Sequence, residues 1–208
     1  MPSKSEDDNV ASLRPEKAAK DSSVSLLEQA ALDLIEENGV LAGLNLREVA
    51  ERAGVNRALV YHHFGSREEL LRSALTRDLK DRLNQITQGL SLPFNPRVRQ
   101  MLRTMVQHQP ALRLAMLLTL DGKEQVRLAP LKNAWMETFE QDQADRKVDD
   151  SLDLEGFLVM ISALSYGYAL MRESFAKEFD TDPVSLDWRL EAVLEQFLSK
   201  YETHEDDL

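Results

Sequence analysis

Residues 45–67 read NLREVAERAGVNRALVYHHFGSR, and this stretch decides how the N-terminal part of the chain folds. Asn45 stands directly before an apolar-periodic run, where a residue of its type caps a helix. Gly54 is a natural end for that helix, and the short turn after it leads into a second helix. Two short helices joined by a tight turn indicate a helix-turn-helix. We therefore predict helices over about 46–53 and 57–64.

The second of these helices has two faces of different character. Leu59, Val60 and Phe64 are the candidates for its buried side. The opposite side carries a bidentate donor, a small residue and two aromatic rings, namely Arg57, Ala58, Tyr61 and His62. Such a set suits the DNA major groove. The stretch holds four arginines and two glutamates, a local charge of +2, which is a mild footprint for nucleic-acid binding.

The composition narrows the class of protein. The 208 residues have 43% hydrophobic and 29% charged content and a net charge of -11. This balance is typical of a folded soluble domain and argues against a general polyanion binder or a basic membrane-surface protein. The absence of Cys excludes disulfide scaffolds and thiolate metal sites. No secretory signal or spanning segment is evident, so we expect a cytoplasmic protein without a membrane partner.

The remaining segments predict an all-α fold of about nine helices, because β-branched alternation is missing and helix-forming residues dominate. We expect a flexible N-terminal tail over 1–21, with the first helix beginning near Ser23 or Ser25. A three-helix DNA-binding domain is expected over 22–88, and a helical ligand-binding and dimerisation domain over 89–208. Asn95 followed by Pro96 is interpreted as a helix start within this second domain.

Residues 24–75 resemble the DNA-binding signature of TetR-family transcriptional regulators. The resemblance rests on Leu46-Arg47-Glu48-Val49-Ala50, Gly54-Val55-Asn56, Tyr61-His62-His63-Phe64 and Ser66-Arg67-Glu68, which stand in the family's order. It implies a regulator that binds a pseudo-palindromic operator in double-stranded DNA as a dimer. It also implies, as the family default, that the regulator is a repressor and that a small molecule releases it from DNA. The chain departs from the pattern at Gly65, where Lys is common, and at Leu59, where a small residue or Thr is common.

The resemblance also implies a role for each matched position. Places that reach bases or nearby backbone are occupied by Arg47, Arg57, Ala58, Tyr61 and His62. Places that meet phosphates are occupied by Asn45, Tyr61, His63 and Arg67. By the same resemblance, the last two helices, about 152–179 and 186–202, form a homodimer interface. Their broad apolar faces agree with this interface but are equally compatible with packing inside one subunit.

An effector pocket is implied mainly by the resemblance. The bulky and soft side chains where the family's cavity lies are Met101, Met105, His108, Met116, Trp135, Phe139, Tyr166, Tyr168 and Met171. Methionine adapts to varied ligands, yet residues of this kind at helical spacing are often simply core. Charged candidates are few, so an apolar or weakly polar effector is favoured.

Two rival functions are weighed against regulation. An all-helical enzyme is not supported, because the chain lacks HExxH, Walker A and GxGxxG motifs. The residues three before the four histidines are Leu59, Val60, Met105 and Tyr201, so no Glu-x-x-His di-iron motif is present, and neither a metal nor another cofactor is expected. The second rival is a helical protein-interaction module without specific DNA binding.

Overall fold

The protein is all-α throughout the residues that its computed structural model describes, which are 7–39, 44–120 and 127–203, with side chains from Ser22 onward. These ranges contain an isolated bridge between Val148 and Glu202 but no β-strand. The helices in them are α1 Asp7–Asn38, α2 Leu46–Ala53, α3 Arg57–Phe64, α4 Arg67–Gly89, α5 Phe94–Gln107, α6 Gln109–Leu120, α7 Lys132–Ala144, α8 Leu154–Glu178 and α9 Pro183–Leu198.

The chain divides into two compact units, Met1–Arg77 and Asp78–Leu208. The division lies inside α4, whereas the sequence placed the boundary after residue 88. The connector around Pro93, from which that boundary was inferred, separates α4 from α5 within the second unit. The first half of α4 therefore belongs to the N-terminal unit and its second half to the C-terminal unit.

The N-terminal unit is a bundle around a small apolar core. Helix α1 contributes an apolar stripe at helical spacing, and α2, α3 and α4 close over it. Its buried side chains are Leu27, Ala30, Ala31, Leu34, Ile35, Leu44, Val49, Ala50, Val60, Leu70 and Ala74. The alanines among them, at residues 30, 31, 50 and 74, allow the helices to approach one another closely.

A buried carboxylate joins α1 to the first half of α4. Glu28 is only 5% exposed, and Ser73 donates a hydrogen bond of 2.5 Å to its Oε1. Arg77 donates to the carbonyl of Ser25 over 2.6 Å and lies 3.5 Å from Glu28 Oε2. Because a buried charge is costly unless it is paired, these contacts fix the start of α4 on α1.

The C-terminal unit is built around aromatic side chains from α5, α7 and α8. The rings of Phe94, Phe139 and Phe157 pack with centroids 5.5–5.8 Å apart, and Trp135 lies 5.3 Å from Phe139. Leu194 and Leu198 of α9 complete this core. Helix α8 is long and apolar enough to cross a membrane by length and composition, but half of its apolar window is buried in the unit, so it is a core helix.

Several helix ends differ from the sequence expectation. Helix α1 begins at Asp7 rather than near Ser23 or Ser25; the added segment has no glycine and contains three alanines, although Pro15 lies within it. Residues 1–6 of the expected flexible tail lie outside the described residues. The expected start at residue 186 for the last helix is also wrong, because Asp182 caps α9 and Pro183 opens it.

The proposed cap at Asn95 is likewise wrong. Helix α5 begins at Phe94, and Asn95 is buried inside its first turn. The Asn95 amide donates to the carbonyl of Glu195 and to Glu202 Oε2, each over 3.4 Å. Tertiary contacts toward the end of the chain therefore use the side chain that the local pattern assigned to capping.

Candidate nucleic-acid interface

Helix α2 is positioned by the cap that the sequence predicted. Asn45 Oδ1 accepts a hydrogen bond of 3.0 Å from the Arg47 backbone N–H, and Asn45 Nδ2 donates to Glu48 Oε1 over 3.3 Å. Both polar ends of the Asn45 amide are thus engaged at the helix end. The amide nitrogen carries a second hydrogen, so it can donate to a phosphate while it keeps its bond to Glu48.

The turn between α2 and α3 requires a glycine. Gly54 has φ of 66°, a left-handed conformation in which side chains are disfavoured, and its N–H bonds to the Ala50 and Glu51 carbonyls. The Val55 N–H also donates to the Ala50 carbonyl, over 3.0 Å. Asn56 then caps α3 by accepting from the Ala58 N–H over 2.9 Å. These bonds fix the direction in which α3 leaves α2.

Helix α3 has the two faces that the sequence predicted. Val60 is fully buried, and Leu59 and Phe64 are half-buried against the N-terminal core. The exposed positions are Arg57, Ala58, Tyr61 and His62. Tyr61 keeps 46% of its surface in solvent, so it is not a core aromatic within the N-terminal unit. The spacing of the exposed set gives one continuous face about a turn and a half long.

Arg57 and Tyr61 form a pair on this exposed face. Arg57 Nη2 donates to the Tyr61 hydroxyl over 3.2 Å, and the guanidinium carbon lies 5.5 Å from the centre of the Tyr61 ring. The contact orders two long side chains while leaving most guanidinium donors unused. An arginine held in this way is available to a base edge or a phosphate.

The arginines of residues 45–67 differ in their partners. Arg47 pairs with Glu51 over 2.9 Å, one turn along α2. Arg52 donates twice to Glu37 of α1, over 2.7 and 2.6 Å, and these hydrogen bonds lower the pKa of Glu37 and raise the pKa of Arg52. Arg57 and Arg67 are exposed and have no carboxylate partner in the part of the chain that the structure describes. Arg57 on α3 is therefore the arginine of this stretch that is farthest from compensating carboxylates, since Glu68 and Glu69 follow Arg67.

The remaining predicted DNA-contact residues lie beside this face. His62 is exposed, and His63 is half-buried between the rings of His62 and Phe64, with centroids 5.4 and 6.2 Å away. Arg67 is the first residue of α4. No cluster of three or more His, Asp or Glu side chains within the described ranges could hold a metal ion.

The second unit contains a small cavity where four of the predicted effector contacts meet. Met101 and Met105 of α5, Trp135 of α7 and Tyr166 of α8 line it. In this structure its volume is about 30 Å³, which holds one or two water molecules. The other side chains that complete its wall are Leu79, Arg82, Leu83, Ile86, Leu128, Ala129, Pro130, Leu131, Lys132, Leu158 and Ser162.

The other five predicted effector contacts lie elsewhere in the unit. Phe139 is 1% exposed within the aromatic core, and Met116 is half-buried on α6. His108 lies 2.5 Å from Asp78, and Tyr168 donates to Asp187 over 2.7 Å. Met171 is 53% exposed on α8. The two methionines of α5 in the prediction line this cavity, whereas the wall contributed by α4 was not predicted; the leucines at residues 79 and 83 were the available signal.

The geometry defines a helix-turn-helix protein whose reading helix, α3, presents an exposed polar face, joined to an all-helical second unit. Residues 27–74 match the family model described as bacterial regulatory proteins, tetR family. A comparison with curated proteins gave no significant match. The N-terminal domain thus matches the TetR family, which confirms the resemblance inferred from the sequence.

Solved structures share the fold over most of the chain. A Rhodococcus sp. protein assigned to the TetR-family transcriptional regulators has a TM-score of 0.60 at 21% identity, covering 86% of this chain and 99% of that one. The ketosteroid transcriptional regulator KstR2 of Mycobacterium tuberculosis gives 0.58 at 16% identity, covering 87% and 95%. The TetR family protein CprB from S. coelicolor A3(2) gives 0.53 at 19% identity, covering 84% and 98%. At these identities the likeness shows the fold alone, over the 84–87% of the chain that the matches cover.

Proposed function

We propose that this protein is a cytoplasmic, dimeric transcriptional repressor that reads a pseudo-palindromic operator through α3 and releases it when a small molecule binds the second unit. The observation that carries the proposal is the exposed Arg57–Tyr61 pair on the one face of α3 that the N-terminal core leaves uncovered. Arg57, Ala58, Tyr61 and His62 are assigned to bases and nearby backbone, as is Arg47. Asn45, His63 and Arg67 are assigned to phosphates, together with the Tyr61 hydroxyl.

The acidic character of the chain is compatible with this role. Charges farther apart than about 10 Å are largely screened at ordinary salt, so the surface near α3 determines DNA affinity. Arg57 and Arg67 supply positive charge there, while Arg47 and Arg52 are already paired with glutamates. The remaining acidic surface disfavours non-specific contacts with the phosphate backbone.

An apolar face on α8 and α9 supports the dimer. Exposed large side chains on it are Met160, Met171, Phe175, Phe179 and Val193, whereas Val184 and Trp188 line a different groove of the unit. Apolar surface of this extent is unusual on a monomer and is typical of an interface. A second copy related by a two-fold axis would cover it and form a four-helix bundle. Two α3 helices about 34–36 Å apart would then read successive major grooves.

Helix α4 supports coupling between effector and DNA. Its first half is tied to α1 through Ser73 and Arg77, and its second half supplies Leu79, Leu83 and Ile86 to the cavity wall. An effector that needs more than the present 30 Å³ must displace this wall. We infer that it selects a conformer with wrongly spaced reading helices. A compound that bound the free and operator-bound protein equally would contradict this coupling, because linkage is reciprocal.

Selection of duplexes from a random pool tests the DNA-binding proposal. The full-length protein should enrich a pseudo-palindromic site, and the Arg57→Ala/Tyr61→Ala double variant should not, while retaining its helicity and dimer. Arg127→Ala, an exposed arginine of the second unit, is the matched control and should behave as the parent.

Salt dependence separates the two kinds of contact. Arg67→Ala should weaken binding evenly across sequences and reduce the salt slope by about one, whereas Arg57→Ala should relax specificity at one position of each half-site. If a folded, dimeric parent enriched no duplex at low salt, the regulator proposal would fail. The protein-interaction module would then be the better reading.

A further inference from the structure

A buried polar cluster lies in the second unit, against the cavity. Asp78 and Arg82, one turn apart on α4, are 9% and 6% exposed. His108, at the end of α5, has its Nδ1 2.5 Å from Asp78 Oδ1. Arg82 Nη2 lies 3.8 Å from Asp78 Oδ2, which is too long for a hydrogen bond. The three side chains thus form a cluster in which the arginine is the least satisfied member.

The guanidinium of Arg82 has donors without acceptors. Its Nε and Nη1 are buried, and neither has a hydrogen-bond partner among the described residues. Asp78 Oδ2 is also buried without a hydrogen-bond partner, and at 3.8 Å from Arg82 Nη2 it compensates the charge of Arg82 without accepting a hydrogen bond from it. Buried polar groups are nearly always hydrogen-bonded, and an unpaired guanidinium is especially unfavourable. Acceptors for Nε and Nη1 of Arg82 therefore come from water or from a bound molecule.

The walls of the cavity beside Arg82 match a particular kind of acceptor, which the present volume of about 30 Å³ admits only when the cavity widens. Its other walls are largely apolar, from the leucines of α4, the methionines of α5 and Trp135. Tyr166 also lines the cavity. Burial raises the pKa of its hydroxyl, while the charge of Arg82 lowers it, and the hydroxyl is a neutral donor at ordinary pH. The cavity thus has a guanidinium and a hydroxyl as hydrogen-bond donors, and its other walls are largely apolar.

We propose that the effector is a small monocarboxylic acid with an apolar body, whose carboxylate accepts hydrogen bonds from Arg82. A carboxylate matches the planar fork of arginine bidentately. A single negative charge matches a single guanidinium that Asp78 already partly compensates, so a phosphate dianion is disfavoured. The inference rests on the proposed effector function and replaces the wholly apolar effector favoured by composition, since the apolar walls serve only the body of the molecule.

Matched acid and amide probes test the proposal on the full-length protein without DNA. The set consists of linear and aryl-substituted carboxylic acids, each paired with its primary carboxamide. Binding is measured by calorimetry and by tryptophan fluorescence in a Trp188→Phe background, where Trp135 of the cavity wall is the one tryptophan left. We expect the acids that bind to do so at least about tenfold more tightly than their amides, because a charge-assisted bond replaces a neutral one.

Variants assign the preference to Arg82. Arg82→Met should abolish the acid preference, leaving acid and amide equal, and Arg82→Lys should retain part of it, because Lys lacks the fork. Arg82→Gln keeps a polar side chain and serves the same purpose if the Met variant does not fold. The control is Lys132→Gln, another cation of the cavity wall, whose amine already pairs with Glu155 over 2.8 Å and which should keep the parent's preference.

Every outcome bears on the inference. The inference would be overturned if no pair showed a preference for the acid, or if the preference survived in both Arg82→Met and Arg82→Gln. Either result would indicate that water alone satisfies Arg82. Loss of the preference in Lys132→Gln as well as in the Arg82 variants would also overturn it, since general charge would then explain binding. Acid binding by a protein that selects no duplex would uphold this inference while the proposed regulator function failed.

Discussion

A substitution at Gly167, near the middle of α8, distinguishes a dimer interface from a face that stays exposed in a monomer. Gly167 is exposed, it adjoins the apolar surface of Phe175, Phe179 and Val193, and a Cβ placed on it meets no atom within 4 Å. Within one subunit, Gly167→Leu is therefore accommodated. Helix propensity even favours it by about 0.8–1 kcal/mol, since glycine is a poor helix former.

The same substitution is unfavourable if a second copy covers this face. Overpacking a closely fitted contact costs about 1–3 kcal/mol, and a two-fold axis repeats the change, giving a loss of about 2–6 kcal/mol in dimer stability. Since 1.4 kcal/mol is about tenfold in affinity, the dimer Kd should rise by about one to four orders of magnitude. The variant monomer should stay helical.

Sedimentation equilibrium over a range of concentrations measures this Kd, and far-UV circular dichroism reports helicity. Ala144→Leu, at the exposed end of α7, is the control, because it adds the same side chain away from α8 and α9. Unchanged dimerisation in Gly167→Leu would refute the placement of the interface. A variant that unfolds would refute the reasoning about space at Gly167.

Three further predictions concern stability. Gly54→Ala should destabilise the protein by about 1–2 kcal/mol in chemical denaturation, because its φ of 66° is left-handed; an unchanged midpoint would mean that the turn relaxes. Asn56→Ala should cost about 0.5–2 kcal/mol by removing the α3 cap, while Asn56→Ser should restore most of it. Hydrogen bonds from Arg103 lower the pKa of Glu191, so the ionised carboxylate stabilises the fold at pH values above the ordinary pKa of glutamate, and this contribution is lost as the pH falls through the lowered pKa. Glu191→Gln should therefore flatten the acid side of a plot of melting temperature against pH. An unaltered plot would contradict this.

The sequence predicted the helix-turn-helix well because the signals that specify it are local. Asn45, Gly54 and Asn56 each act within a few residues of themselves, through caps and a left-handed turn, so their effect does not depend on the rest of the chain. The two faces of α3 follow from helical periodicity alone. By contrast, Asn95 carries an equally good capping signal but is recruited by Glu195 and Glu202, residues that are distant in sequence.

The cavity illustrates why sites in the second unit were harder to predict. Phe139 and Trp135 have similar character and lie one turn apart on α7, yet the first fills the core and the second lines the cavity. Periodicity identifies the inward side of a helix but does not say whether an atom or empty space faces it. The packing of neighbouring helices decides that.

By itself, the sequence determined the all-α class, the helix-turn-helix and the residues on its exposed face, because these depend on propensity, capping and periodicity along one stretch of chain. Only the tertiary structure decided which arginines near α3 are already paired and which side chains surround the cavity. It also decided that Arg82 lies buried, although an acid–base pair one turn apart normally indicates a solvated helix surface. Burial and pairing result from contacts between segments far apart in sequence, and the local pattern does not encode them.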